Sequence, residues 1–314
     1  MDGKVKIFTA FSGYDSQCLA MERLKRTHGV DYELVGWSEI DHYAIQAHNA
    51  LFPQWSDRNY GDISKIDWTQ VPDFDLFTYS FPCTDISSAG RQRGLTDGSG
   101  TRSSLLWECR KAIIAKRPKY LLMENVKALA GEKFRPQLLK WLNELENYGY
   151  KNYVSVLNAK DYGVPQNRKR VFVWSATTGE GFQFPKPTAL KRKLNDVLEQ
   201  RVAESYYLRD EIVEQFLAKT KRCEQTDGQT MLGYTRDKDG VNINYHPIAV
   251  ANTLCTSSGS GGNTDQFVRE DNVICFFGGV RDHAAVKTDG IATTLCTFND
   301  RPMIMLQDDE QTKR

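Results

Sequence analysis

The sequence predicts an α/β fold, a doubly wound sheet followed along the chain by a smaller, irregular and mostly β second region. Two observations carry that prediction. From Val5 to about Ser175, short apolar runs of strand length alternate with stretches whose apolar residues repeat at helical spacing. The alternation stops at Phe184-Pro185-Lys186-Pro187, and beyond it lie short segments and turns such as Ser257-Ser258-Gly259-Ser260-Gly261-Gly262. The first region is therefore set at residues 1–184 and the second at residues 185–314.

Strands are expected at Val5–Phe8, Leu34–Ser38, Leu76–Ser80, Tyr120–Met123, Tyr153–Leu157 and Arg170–Trp174. Leu105, Leu106, Cys109, Ala112 and Ile113 mark one helix between them. Leu138, Leu139, Leu142 and Leu145 mark another, with Pro136 near its start and Gly149 just past its end. In the second region one helix is expected over Ile212–Lys219. A weak repeat relates Ala251-Asn252-Thr253-Leu254-Cys255-Thr256 to Ala292-Thr293-Thr294-Leu295-Cys296-Thr297.

A chain of 314 residues with 40% hydrophobic content has enough apolar surface for a large core. Its formal charge of +1 gives no global field for polyanions, so any nucleic-acid contact must come from local patches. No apolar run is long enough to span a bilayer, and Met1-Asp2-Gly3-Lys4 leads straight into a strand rather than a signal peptide. Seven cysteines without a C-x-x-C pair speak against a metal knuckle or disulfide framework, and for a reducing, cytoplasmic setting.

The chemistry-bearing residues fall at strand ends, where open α/β sheets bind their ligands. The run Asp75–Ser80 ends at Phe81-Pro82-Cys83-Thr84, because Pro82 has no N–H to continue a ladder. Cys83 then precedes a polar, basic segment, Ser87 to Gly94, with Arg91, Gln92 and Arg93. A thiol placed near positive charge favours its nucleophilic thiolate, although most free cysteines are simple packing. Four further stretches accompany it. Phe8-Thr9-Ala10-Phe11-Ser12-Gly13 is a small-residue turn where backbone approaches a ligand. Glu39, in Trp37-Ser38-Glu39-Ile40-Asp41, suits ribose hydroxyls or a helix cap equally, and Gly61-Asp62-Ile63 offers an acidic and aliphatic wall. Glu124-Asn125-Val126 is expected on the loop after Tyr120–Met123, as a candidate proton donor or an ordinary loop acid. Strand alternation through Gln166-Asn167-Arg168-Lys169-Arg170 puts Arg168 and Arg170 on one face, suited to phosphate and base edges.

Together these motifs resemble the DNA (cytosine-5)-methyltransferase family, bacterial or phage type. The Phe-Pro-Cys loop, the Glu-Asn-Val stretch and the Gln-x-Arg-x-Arg strand occur in the family's order, over about residues 5 to 175. The resemblance implies a Rossmann-like sheet that binds S-adenosylmethionine, released as S-adenosylhomocysteine, and double-stranded DNA as substrate. It implies Cys83 as the nucleophile, with Glu124, Asn125, Arg168 and Arg170 around the cytosine. For the cofactor it implies Phe8, Thr9, Phe11, Ser12, Gly13, Glu39, Ile40, Asp62, Ile63, Ser80, Pro82 and Leu105. For DNA it implies Arg91, Arg93 and Gln166, while Arg236, Lys238, Asn242, Asn244, Asn263, Gln266 and Arg269 are candidate base readers in a recognition domain. The sequence departs from the family pattern at Thr84, where glutamine is usual, and at Ala10 and Ser12, which stand in place of glycines.

Two other readings remain open at this point, an RNA (tRNA) cytosine-5 methyltransferase and a non-catalytic DNA-binding subunit. The family's Arg-x-Leu-Thr-x-Arg-Glu helix and Gly-Asn-Ser/Ala-Val segment have no match after Gly290. The resemblance therefore carries the expectation of a small second subunit supplying them.

Overall fold

The computed structural model describes residues 3–87, 93–179 and 181–197, together with five strand segments between residues 230 and 277. The expected helix at Ile212–Lys219, the second copy of the weak repeat and the region after Gly290 lie outside the described residues. The chain divides into two compact units, Met1–Leu157 with Lys169–Lys186, and Asn158–Arg168 with Pro187–Arg314.

The first unit is built on a six-stranded sheet. In chain order its strands are β1 (Val5–Ala10), β2 (Tyr32–Ser38), β3 (Leu76–Tyr79), β4 (Tyr120–Val126), β5 (Lys151–Asn158) and, after the short β6 (Gln166–Asn167), β7 (Lys169–Ala176). In space they run β2-β1-β3-β4-β7-β5. β1 pairs in parallel with β2 and β3, and β3 with β4, whereas β7 runs antiparallel to β4. Four helices connect them: α1 (Ser16–His28), α2 (His42–Leu51), α3 (Cys109–Lys116) and α4 (Arg135–Asn147).

The central strands read as continuous apolar runs because both faces are covered. Ile7, Phe8, Thr9 and Ala10 are all buried, and so is β2 from Leu34 to Ser38. β5 sits at the sheet edge and leaves Val154 and Val156 exposed. One core cluster gathers Phe8, Trp68, Phe74 and Phe77, with ring centroids 5.1 to 6.2 Å apart. It continues through Tyr79, whose hydroxyl accepts from Trp141 Nε1 at 3.1 Å, to Trp107. Each large side chain buried here contributes about 1.5–3 kcal/mol.

The predicted strands appear, most with longer ends and β3 one residue shorter, and two differences matter for the site. β4 extends past Met123, because β7 pairs with it through Glu124↔Phe172, Asn125↔Val171 and Val126↔Arg170. Glu124 and Asn125 are therefore strand residues rather than loop residues. The helix expected from Leu105 onward splits into a 3₁₀ turn, Arg102–Glu108, opened by the Thr101 hydroxyl accepting from Ser104 N–H, and then α3.

In the second unit, β8 (Thr230–Arg236), β9 (Ile243–Pro247), β11 (Gln266–Glu270) and β12 (Val273–Phe277) form an antiparallel sheet in the order β12-β11-β8-β9. β10 (Ala251–Asn252) pairs in parallel with β6.

Candidate active site

Parallel pairing places the carboxyl ends of β1, β2, β3 and β4 along one edge of the sheet. The turn after β1 is tight. Phe11, Gly13 and Asp15 all take left-handed backbone conformations, with φ of 54°, 59° and 66°. For the two non-glycine residues this costs about 1–2 kcal/mol each, so the surroundings must hold the turn. Ser12 N–H donates to Ser38 O at 3.2 Å, and Gly13 N–H donates to Glu39 Oε2 at 2.9 Å. Asp15 is fully buried and caps α1 by accepting from Cys18 N–H at 3.1 Å, while Thr9 Oγ1 donates to its other oxygen at 2.7 Å.

Glu39 collects three backbone N–H groups, from Gly13, Ile40 and Asp41. Asn59 locks the next segment onto it, its Oδ1 accepting from Glu39 N–H and Gly61 N–H and its Nδ2 donating to Glu39 O. Asp62 caps a short 3₁₀ turn, and the Ser64 hydroxyl and N–H with Lys65 hold its carboxyl below the usual carboxylate range. The expected aliphatic wall is shared differently from the prediction. Ile63 is 3% exposed and belongs to the core, whereas Ile40 is 65% exposed beside Glu39. Phe8 and Thr9 are likewise buried, Phe8 in the core and Thr9 with its hydroxyl on Asp15 at the far side of the turn. Ser80 and Pro82 are half-buried, as is Leu105, which packs against the core, and Ser80 Oγ accepts from Gln17 Nε2 at 3.3 Å.

The second cluster lies at the ends of β3 and β4. Cys83 is half-buried, in contrast to Cys18 and Cys109. Burial pushes both of those thiols far up, helped by the carboxylates of Asp15 beside Cys18 and Glu108 beside Cys109, so they stay protonated. The Cys83 carbonyl accepts from the N–H groups of Ile86 and Ser87, making a tight turn after the thiol. Asn125 is buried, and its Nδ2 donates to Phe81 O at 2.9 Å while its Oδ1 accepts from Val126 N–H at 2.8 Å. One side chain thus ties the Phe-Pro-Cys loop to β4. Arg170 Nε lies 3.1 Å from Glu124 Oε1, with both side chains mostly shielded. Cross-strand pairing sets this contact, since Arg170 faces Val126 in register and Glu124 lies two residues before it.

The loop beyond Cys83 is anchored by residues that sequence reasoning missed. Asp85 is buried, and its carboxylate accepts from Arg93 Nε at 2.8 Å, from the Thr84 hydroxyl and from Ser103 N–H. Ser103 Oγ donates to Pro82 O at 2.6 Å and accepts from Asp85 N–H. Burial alone would push the Asp85 carboxyl up, but Arg93, Ser103 and Thr84 together hold it below the usual range. The signal was local, an acid two residues after the thiol. Its partner Ser103 lies eighteen residues on, beyond any local pattern.

Arg168 falls between β6 and β7. Arg168 N–H donates to Gln166 O at 3.0 Å and Arg168 O accepts from Ala159 N–H, a turn that interrupts the strand before β7 begins at Lys169. Arg168 and Gln166 fall in the second unit, Arg170 in the first. Arg236 lies on β8, Asn244 on β9, and Gln266 and Arg269 on β11. Arg91, Lys238, Asn242 and Asn263 lie outside the described residues. Among the described residues no group of acidic, histidine or cysteine side chains could hold a metal ion, and no helix is long and apolar enough to cross a membrane.

Comparison with known proteins bears on both clusters. Residues 5–271 match the family model described as C-5 cytosine-specific DNA methylase. A type II methyltransferase of Lactococcus lactis subsp. cremoris, M2.ScrFI, is 40% identical over 258 residues, covering 66% of this chain and 71% of the relative. The orphan methyltransferase M.SssI of Spiroplasma monobiae is 37% identical over 221 residues, covering 68% of this chain and 55% of the relative. Among solved structures, a methyltransferase of Entamoeba histolytica shares the fold at a TM-score of 0.57 and 18% identity, over 68% of this chain and 65% of that one. The Dnmt2 of Spodoptera frugiperda does so at 0.56 and 17%, over 81% and 71%. The family match covers most of the chain and takes in both clusters; the chain belongs to the C-5 cytosine-specific DNA methylase family.

Proposed function

We propose that this chain is a sequence-specific DNA methyltransferase that uses S-adenosylmethionine to methylate C5 of a flipped-out cytosine, with Cys83 as its covalent nucleophile. The observation that carries the reading is the tie between Asn125 and Phe81 O, which fixes the Cys83 loop beside Glu124 and its partner Arg170.

The residues at the ends of β1 and β2 fit the cofactor. Ser12 Oγ is buried without a hydrogen-bond partner among the described residues, inside a turn that has no bulky side chain at residues 12 and 13. Exposed Ile40 beside Glu39 suits the face of a purine, and Glu39 and Asp62 suit hydroxyl and amino groups. When bound, S-adenosylmethionine supplies the electrophilic methyl group for C5 and leaves as S-adenosylhomocysteine. The protein's own work is to raise the reactivity of C5. Cys83 adds as thiolate to C6, which moves electron density toward C5. Glu124, as the carboxylic acid, donates its proton to N3 and so places positive character where that density is drawn, while Arg170 holds the Glu124 carboxyl in position and reaches toward O2. Loss of the C5 proton then expels Cys83 and restores the ring. Because C6 is covered in a stacked duplex, the base must leave the helix.

Residues 185–314 are assigned to target recognition. Arg236, Asn244, Gln266 and Arg269 share one antiparallel sheet, and such side chains discriminate base edges at about 1–3 kcal/mol each. Double-stranded DNA is favoured over RNA because the family model matched over residues 5–271 is described as a C-5 cytosine-specific DNA methylase.

The adduct itself is the test. DNA with 5-fluorocytosine at the target blocks proton loss, so wild-type chain with S-adenosylmethionine accumulates a complex that survives denaturation. Cys83→Ala forms none. A complex that persists in that variant removes Cys83 from the role.

A further inference from the structure

Beneath the cofactor turn lies a polar pair that the reaction does not use. Asp15 closes the turn and is fully buried at the start of α1. Its Oδ1 accepts from Cys18 N–H at 3.1 Å, and its Oδ2 accepts from Thr9 Oγ1 at 2.7 Å. His48 reaches the same place from α2, with no exposed surface and Nε2 at 3.6 Å from Asp15 Oδ2. Neither ring nitrogen of His48 has a hydrogen-bond partner among the described residues. The ring stacks on Trp37 at 3.7 Å between centroids, inclined by 18°, and Trp37 lies two residues before Glu39.

A buried carboxylate is expensive unless donors surround it. Two donors hold Asp15, Cys18 N–H at the N-terminus of α1 and the Thr9 hydroxyl, and His48 Nε2 stands 3.6 Å from it, just beyond hydrogen-bond distance. We propose that the Asp15–His48 contact is a latch that positions the cofactor turn: the Nε2 side of His48, set against the Asp15 carboxylate, clamps the ends of β1 and β2 together in the shape that binds S-adenosylmethionine. Both are positioning residues, and neither touches the cytosine. The latch lies directly under the two elements assigned to the cofactor, Phe11–Gly13 and Glu39, which Ser12 N–H and Gly13 N–H already join. It rests on the cofactor assignment made above.

Two substitutions of His48 separate a latch from simple packing. His48→Gln retains a polar nitrogen near the Nε2 position and loses the ring stacked on Trp37. His48→Phe retains the ring and loses Nε2. The readouts are the dissociation constant for S-adenosylmethionine by calorimetry, kcat and the KM for DNA at saturating cofactor, and the thermal midpoint of the free chain. The latch predicts that His48→Phe weakens cofactor binding by about tenfold, with kcat and the KM for DNA within about twofold of wild type. It predicts that His48→Gln stays within about threefold of wild type for the cofactor. Should Asp15→Asn fold, it joins His48→Phe in the weak class. The reverse order, with His48→Phe binding normally and His48→Gln weakened, makes His48 a packing residue and overturns the latch. Equal losses for cofactor and DNA overturn it too. Wild-type chain that binds no S-adenosylmethionine at all sinks the cofactor assignment, and the latch with it; wild-type binding with unchanged variants sinks the latch alone.

Discussion

The two clusters at the strand ends are held in different ways. At the ends of β1 and β2 the bonds run mostly from backbone N–H groups to a few gathering side chains, Glu39, Asn59 and Asp15. At the ends of β3 and β4 the side chains are themselves fastened, Glu124 to Arg170, Asn125 to Phe81 O and Asp85 to Arg93 and Ser103. The first arrangement shapes a surface, so substitutions there should move binding and stability. The second aims particular atoms, so substitutions there should move kcat.

Four substitutions press on that difference. The largest effect is expected at Cys83→Ala, which should lower methylation by at least about 10⁴-fold while leaving the dissociation constant for S-adenosylmethionine near wild type in calorimetry. Loss of cofactor binding in that variant would merge the two clusters into one. Glu124→Gln comes next, with kcat down by about 10²–10³-fold and DNA affinity retained, read by single-turnover kinetics and gel shift. Gly36→Ala belongs to the other side of the comparison. A Cβ there would lie 2.7 Å from ring carbons of both Phe8 and Tyr60, so about 1–3 kcal/mol of stability should be lost in urea titration, with kcat little changed.

Asp85→Asn should show the smallest effect and has a pH signature. The folded-state carboxyl titrates below its unfolded value, so its contribution is fully present above about pH 4 and is lost as the pH falls through the folded value. The variant should therefore be about 1 kcal/mol less stable than wild type at pH 7, and the gap should close in acid. A gap that widens in acid would mean that Asp85 is protonated in the fold.

The chain's order along the sequence was sufficient for several features, because their causes are local. Short apolar runs marked the strands of the six-stranded sheet, and β3 stops at Tyr79, three residues before Pro82. The motifs alone placed Cys83 and Glu124 at strand ends. Where tertiary structure decided, the cause was a partner far away in sequence. β7, pairing back onto β4, turned a supposed loop into strand and set Arg170 against Glu124. Arg168, two residues earlier, falls in a turn because its backbone bonds to Gln166 and Ala159. Ile63 and Ile40 are chemically alike in the sequence; burial against the Phe8 cluster takes one and leaves the other exposed. No motif in the sequence marked His48. Only the packing of α2 against the start of α1 brings it to Asp15, because a buried polar pair is defined by what surrounds it and not by its spacing along the chain.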